Sequence, residues 1–330
     1  KSVLREGEEL GYEFYVGPEC EFFLYPMDNE GQPTNTTTEK AGYFELGPVD
    51  FGENARRDMV LTLEEMGFEI LASYHEKAPA QHEIDFRYDK ALRTADNIMT
   101  FKLAVKMARR HGLHATFMPK PRMEHHGSGM HTHMSLFRDG KNIFDDPDGE
   151  AGLSQEAYYF IGGLIRHCKA ITAITNPLVN SYKRLTSGYD APRYIAWAEN
   201  NRSPLIRIPS ARGMASRVEL RSPDPSANPY LTIALCLAAG LDGIKNKISP
   251  PKLAKGNIFT MTEQERKKEG IETMPLSLKE ALTEMEKDPL VRDVLGNHIF
   301  KKYQQAKEKE WEEYINFVTN WEIEQYLYKI

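Results

Sequence analysis

The sequence predicts a mixed α+β domain with a mainly antiparallel sheet, and three observations carry that expectation. Strand-like segments come in adjacent pairs near the start of the chain, no regular βαβ alternation follows, and the last third reads as helical. With 330 residues, 41% hydrophobic and 27% charged, the chain has a globular composition and enough length for a full core.

Taken in order, the aromatic and aliphatic runs Tyr12–Val16 and Glu19–Tyr25 meet at Gly17-Pro18 and predict strand, tight turn, strand. Residues Asn54–Met66 carry apolar side chains at helical spacing and stop at Gly67. Strands are expected at about Phe68–Tyr74 and His82–Tyr88, then a helix capped by Thr94 that runs to His111, with Gly112 as its stop. A proline-punctuated loop at Pro119–Pro121 precedes a strand at Met130–Phe137 and an Asp/Gly/Pro-rich surface loop at Asp139–Gly152. Helices are expected at Gln155–Ile174 and Tyr230–Lys247. Between them, Asn180–Arg221 reads as a long connection with short strand pieces at Ile206–Ile208 and Arg217–Leu220, the kind of segment that often carries a site. From about residue 262 to 330 the chain reads as helical. Thr262-x-x-Glu265 and Ser277-x-x-Glu280 have capping-box spacing, and Pro289–Ile330 predicts one or two long amphipathic helices.

Composition narrows the partners. The longest apolar stretch, about Tyr230–Leu241, is too short to span a bilayer, so no membrane partner is expected. A net charge of −6 gives no general attraction to nucleic acid. Cys20, Cys168 and Cys236 lie far apart without CxxC spacing, which argues against a disulfide framework and for a reducing compartment. The chain opens on Lys1 with neither an initiator methionine nor a secretory signal, so a cytoplasmic protein lacking some upstream residues is expected.

The chemistry-bearing residues fall in four groups. Glu19 and Glu21 lie two apart on a predicted strand, so their carboxylates share one face beside Phe22, Phe23 and Leu24. Two like charges so placed call for a cation, although a solvent-facing edge would also accept them. His75-Glu76 and His82-Glu83 flank the loop Lys77–Ala80, which lets two further carboxylates face one another. Such oxygen ligands suit Mg²⁺ or Mn²⁺, whereas no HExxH or cysteine ligand points to zinc; salt-bridged glutamates are the plainer alternative. Third, Gly127-Ser128-Gly129 precedes His131, His133 and Ser135, which alternate on one strand face and could equally be structural. Fourth, Arg184, Arg193, Arg202, Arg207, Arg212, Arg217 and Arg221 crowd one connection, a bias toward the planar fork that grips carboxylate and phosphate. Glu219 between Arg217 and Arg221 could also be a plain ion-pair ladder. Together, five glutamates, a histidine and clustered arginines are the equipment of phosphoryl transfer, with the acceptor left open.

Several blocks then resemble a known family. Gly17-Pro18-Glu19-Cys20-Glu21, His82-Glu83-Ile84-Asp85, Gly127-Ser128-Gly129-Met130-His131, Asn180-Ser181-Tyr182-Lys183-Arg184-Leu185, Asn201-Arg202-Ser203 and Asn228-Pro229-Tyr230-Leu231 resemble, in order, the signature blocks of type I glutamine synthetases. The resemblance implies that residues 1–330 are the catalytic domain of that family, a curved, mainly antiparallel sheet flanked by helices. It implies one metal on Glu21, Glu76 and Glu83 and a second on Glu19, His131 and Glu219, with Mg²⁺ or Mn²⁺ as the ion. Arg184, Arg221, His126 and the Gly127 backbone would hold glutamate, Arg202 and Arg207 the transferring phosphoryl group, and His133, Ser135 and Arg217 the nucleotide. Tyr43, in Gly42-Tyr43-Phe44, and Asp190, in Gly188-Tyr189-Asp190-Ala191-Pro192, would line the ammonium site, with Asp190, Arg202 and Tyr43 as the catalytic group.

The implied activity joins ammonia to the side-chain carboxylate of glutamate through γ-glutamyl phosphate at the expense of ATP. Full-length members form homo-oligomers, dodecamers, and begin with a smaller β-rich domain that has no counterpart here. His126 stands where the family usually has Asn, and Asp190 where it usually has Glu. Two alternatives stay open: a ligase for a larger amine or polyamine, admitted by the shorter Asp190, and a non-catalytic structural or regulatory relative, against which the complete ligand set counts.

Overall fold

The computed structural model describes residues 1–186, 190–254 and 256–328. It opens with α1 (Ser2–Glu9), a short helix outside the expectations above, and β1 (Glu13–Pro26). Helix α2 (Glu53–Glu65) leads to β2 (Ile70–His75) and β3 (Gln81–Phe86), then β4 (Asp89–Lys90), α3 (Ala91–Val105) and β5 (Leu113–Thr116). After β6 (Met130–Arg138) and β7 (Lys141–Asn142) come α4 (Gln155–Thr175) and the short α5 (Ser181–Arg184). Strands β8 (Tyr194–Glu199), β9 (Pro204–Ile208) and β10 (Val218–Leu220) precede α6 (Pro229–Lys245). The remainder comprises α7 (Glu263–Lys268), β11 (Glu272–Thr273), α8 (Leu278–Lys287), α9 (Pro289–Ile315) and α10 (Asn320–Tyr326).

The strands join one sheet in the order β11-β8-β9-β10-β6-β1-β3-β2, with β4 and β5 also on β1 and β7 on β6. Every described pairing is antiparallel except β8 with β9. The α+β expectation with a mainly antiparallel sheet therefore holds.

The turn expected at Gly17-Pro18 does not form. Strand β1 runs unbroken through it, with Gly17 opposite His133 and Pro18 opposite Thr132 on β6. The reason lies in strand alternation. Glu21 donates its N–H to Gly129 on the β6 side, so the missing N–H of Pro18 falls on the other side, in a stretch that neither β4 nor β3 pairs. Thr94 is likewise not a cap: α3 starts at Ala91, and the Thr94 hydroxyl donates to the carbonyl of Val16 at 2.9 Å. Gly112 does end the segment, at φ 72°. The long arginine-rich connection contains one strand the sequence reading omits, β8, whose Tyr194, Ile195, Ala196, Trp197 and Ala198 are all buried.

One face of β1, with Phe14, Val16, Cys20, Phe22 and Leu24, sits in the main core with residues of α2, α3, α4 and α6. Each such fully buried large apolar side chain contributes roughly 1.5–3 kcal/mol. That anchorage leaves the opposite face, with Glu19 and Glu21, for the site. In the helical C-terminal region Thr262 and Glu265 form a full capping box, but Ser277 and Glu280 form half of one. The Glu280 carboxylate accepts from the N–H of Leu276 instead of Ser277. The stretch expected as one or two long helices is α9, interrupted at Gly296, and α10; residues 329 and 330 lie outside the described residues.

Candidate active site

The two-residue repeat of a strand builds the site. Glu19 and Glu21 leave β1 on one face; Glu19 stands opposite His131 on β6, and Glu21 opposite Glu83 on β3. Glu76 follows the end of β2, so the β2–β3 hairpin brings it beside Glu83. Each preceding histidine, His75 or His82, faces away from these carboxylates, which accounts for the doubled His-Glu pattern.

Glu21, Glu76 and Glu83 offer ligand atoms within 4.8 Å of one another. Burial and the nearby Glu76 push the Glu21 carboxyl up to about 8. Burial, with Asp85 and Glu21 beside it, pushes Glu83 well above the carboxylate range, and burial raises Glu76. The Oε1 atom of Glu83 is buried with no hydrogen-bond partner. A crowded set of hard oxygens, one of them unpaired, fits a hard divalent cation.

Glu19, His131 and Glu219 form a second such group. His131 Nδ1 lies 3.0 Å from Glu19 and 3.8 Å from Glu219. Burial, helped by Arg221, lowers His131 to about 4, so its imidazole is neutral and free to ligate. Burial opposes ionisation of Glu219, but the charge of Arg221 leads the effects that outweigh it and lower its pKa. Glu219 accepts from Arg221 at 2.6 Å and from Arg207, so it is ion-paired on both sides, with Arg207 in the place expected of Arg217. Arg217 donates to His133 Nδ1 at 3.1 Å, and arginine only donates, so His133 gives its Nε2 proton to Glu19 at 2.7 Å.

A third cluster, Glu39, Asp50, His75 and His82, lies behind the hairpin and differs in kind. Asp50 pairs with Arg56 at 2.8 Å, and Arg56 also donates to His82 Nδ1 at 2.9 Å. His82 Nε2 then keeps its proton, so this group is neutralised from within and is not a metal centre. Glu39 accepts from His75 at 3.1 Å, from the Phe51 amide at 2.7 Å and from the Ala80 amide. It ties the segment that carries Tyr43 to the hairpin that carries Glu76 and Glu83.

A cavity of about 110 Å³ collects most of the expected residues: Glu19, Glu21, Tyr43, Glu76, Glu83, His126, Gly127, His131, Arg184, Asp190, Arg202, Arg207 and Arg221. Gly127 leaves no room for a side chain on its lining, because a Cβ there would stand 2.4 Å from the Pro119 carbonyl oxygen. A neighbouring cavity of about 220 Å³ is lined by His133, Ser135 and Arg217 and shares Glu19 with the first.

A family model described as "Glutamine synthetase, catalytic domain" matches residues 1–326. The chain belongs to that family. It is 58% identical to a glutamine synthetase of Clostridium saccharobutylicum, over 100% of this chain and 74% of the relative. It is 55% identical to a glutamine synthetase of Thermotoga maritima, over 99% of this chain and 75% of the relative. Among solved structures, a GmaS/ADP complex superposes with a TM-score of 0.89 at 37% identity, covering 99% of this chain and 75% of that one. GmaS without ligand gives 0.83 at the same identity and coverage.

Within this glutamine synthetase catalytic domain one expected glutamate contact also holds backbone carbonyls, and one expected block is described only in part. Arg184, expected to face glutamate, spends NH1 on the carbonyls of Ser222 and Pro223 and donates from NH2 to that of Arg221. Of the block around Asp190, Gly188 and Tyr189 lie outside the described residues. The sequence reading also misses neighbours. Gln81 donates to Glu21 and to the Gly127 carbonyl, both at 3.1 Å, and Asp85 lies beside Glu83. Both sit two residues from Glu83, so strand alternation alone could have found them. Lys77, which pairs with Asp190, carried no such signal. No described helix is long and apolar enough to cross a membrane.

Proposed function

We infer that the chain catalyses the ATP-dependent ligation of ammonia to the γ-carboxylate of glutamate, giving glutamine, ADP and phosphate. The observation that carries this reading is the meeting, in one small cavity, of Glu19, Glu21, Glu76, Glu83 and His131, with Glu219 grouped beside Glu19 and His131, together with clustered arginines and the pair Tyr43 and Asp190. Glu21, Glu76 and Glu83 would hold one divalent cation and Glu19, His131 and Glu219 another, with Mg²⁺ or Mn²⁺ suited to the oxygen-rich sets. Bound there, the ions would supply charge neutralisation for the phosphates.

The chain's own residues do the rest. Arg202 and Arg207 hold the γ-phosphoryl group as it passes to a glutamate side-chain oxygen, forming the acyl phosphate and releasing ADP. Arg184, Arg221, His126 and the Gly127 backbone position glutamate, and His133, Ser135 and Arg217 line the nucleotide cavity. The solved GmaS relative in complex with ADP supports a nucleotide in this fold. Asp190 attracts ammonium beside Tyr43 and takes its proton; the ammonia nitrogen then bonds to the acyl carbon, the carbon–oxygen bond to phosphate breaks, and the departing phosphate carries off the proton the nitrogen sheds. Three buried free cysteines, Cys20, Cys168 and Cys236, support a reducing, cytoplasmic setting.

Phosphate release from ATP and glutamate, compared across ammonium and a panel of amines with the amide identified by mass spectrometry, tests the reading. Glutamine from ammonium is expected. Amide formed only from a larger amine would replace it with the amine-ligase reading, and no ATP turnover with any acceptor would favour a non-catalytic role.

A further inference from the structure

The amine pocket contains a cation of the protein's own. Lys77 directly follows Glu76 at the start of the turn joining β2 and β3, and its Nζ donates to the Asp190 carboxylate across 113 residues of sequence. The same Nζ stands 5.8 Å from the centre of the Tyr43 ring, and the Arg202 guanidinium is also 5.8 Å from it. Asp190 is held with φ at 55°, uncommon for a residue with a side chain, and its carbonyl accepts from Arg221 at 3.2 Å. Lys77 and Asp190 line the same cavity as the metal-type carboxylates, and both side chains are about a third exposed.

A lysine ammonium and a free ammonium ion present the same hardware: a compact positive charge with N–H donors and no acceptor. Both seek a carboxylate and the face of an aromatic ring. With Lys77 on an Asp190 oxygen and both Lys77 and Arg202 beside the Tyr43 ring, an incoming cation meets a carboxylate and a ring that are already engaged. We propose that Lys77 is a specificity-determining residue of the amine pocket, a tethered ammonium that the incoming substrate cation must displace from Asp190. The proposal rests on Asp190 being the amine-site carboxylate, as read above. Displacement is feasible because the lysine stem is flexible and partly in solvent. Until it moves, Lys77 neutralises the charge that draws the substrate cation in, so the pocket discriminates by competition and not by size alone.

The competition can be read without turnover. In protein labelled with ¹⁵N on lysine side chains, the ion-paired ammonium should give a protected resonance that disappears in both Lys77→Met and Asp190→Asn. Ammonium chloride should displace it at concentrations where sodium chloride of equal ionic strength does not. In the assay, Lys77→Met should lower KM for ammonium roughly two- to five-fold, the range an exposed ion pair allows, with KM for ATP and glutamate unchanged. Lys77→Arg should restore the higher value. The absence of any resonance lost in both variants, equal displacement by sodium, or an unchanged ammonium KM in Lys77→Met overturns the proposal. A wild-type protein that forms no amide from ammonium overturns the ligase reading instead, whatever the lysine resonance does.

Discussion

At the scale of single residues, the site is a problem in charge, and Glu83 shows it most sharply. Its carboxyl is 2% exposed, faces Glu21 across the strand pair, and has an oxygen with no partner. With its pKa held well above the carboxylate range, Glu83 keeps its proton in the metal-free protein, so a neutral amide costs little there but deprives a cation of a ligand. Glu83→Gln should therefore keep the melting temperature without metal, lose most of the further rise that Mg²⁺ or Mn²⁺ produces, and lower turnover by about 10²–10³. A thermal melt with and without each ion, alongside the coupled assay, checks all three. Asp190 answers for a different step. In Asp190→Asn, glutamate-dependent phosphate release should continue while amide formation slows, so the ratio of phosphate to amide should rise well above one; a ratio that stays at one removes Asp190 from amine capture.

At the scale of elements, the strands hold the ligands while buried ionic joints hold the elements. The Glu39 network under the β2–β3 hairpin is one joint. His167 on α4 is another, with Nδ1 2.6 Å from Asp288, the cap of α9, and Nε2 2.9 Å from Asp242 on α6. A neutral imidazole carries one N–H, so both bonds need the charged form. Burial disfavours that charge, but the bonds to Asp288 and Asp242 outweigh it and raise the His167 pKa above its ordinary 6.5. Glu6, Arg166, Lys169, Lys245 and Asp293 line the same hollow. With the folded value raised, the stabilisation is fully present below about pH 6.5 and is lost as pH rises through the folded value. His167→Gln should cost about 1.5–3 kcal/mol at pH 6, with the gap to wild type narrowing toward pH 9 in urea titrations. A gap independent of pH would show that packing alone accounts for it.

At the scale of the whole molecule, the C-terminal end is apolar and uncovered. Helix α10 has no buried residue, and Phe317, Val318, Trp321 and Tyr328 are exposed, Tyr328 at 87%. Such a run on one end suits an interface between copies of this chain. A chain ending at Asn316 should keep its melting temperature within a few degrees yet sediment as a smaller species than the longer chain at equal concentration. Equal sedimentation of the two would place any assembly contact elsewhere.

What the sequence determined by itself is what short-range periodicity encodes. A repeat of two put Glu19 with Glu21 and His131 with His133 and Ser135 on shared faces, and local capping chemistry marked Thr262, because these depend on a few neighbouring dihedrals. The family blocks, matched in order, carried the expectation of the two triads that the fold brings within reach. Tertiary structure alone decided what depends on distant partners. Gly17-Pro18 reads locally as a turn, yet it lies inside a strand because burying the apolar face of β1 against the helices, with β6 alongside, outweighs the local signal. The run from Tyr194 becomes a strand because β9 lies parallel to it on one side and β11 antiparallel on the other, and Lys77 meets Asp190 only once the hairpin and the long connection are packed together. Such pairings are set by the burial of the whole core, and no window of neighbouring residues contains that energy.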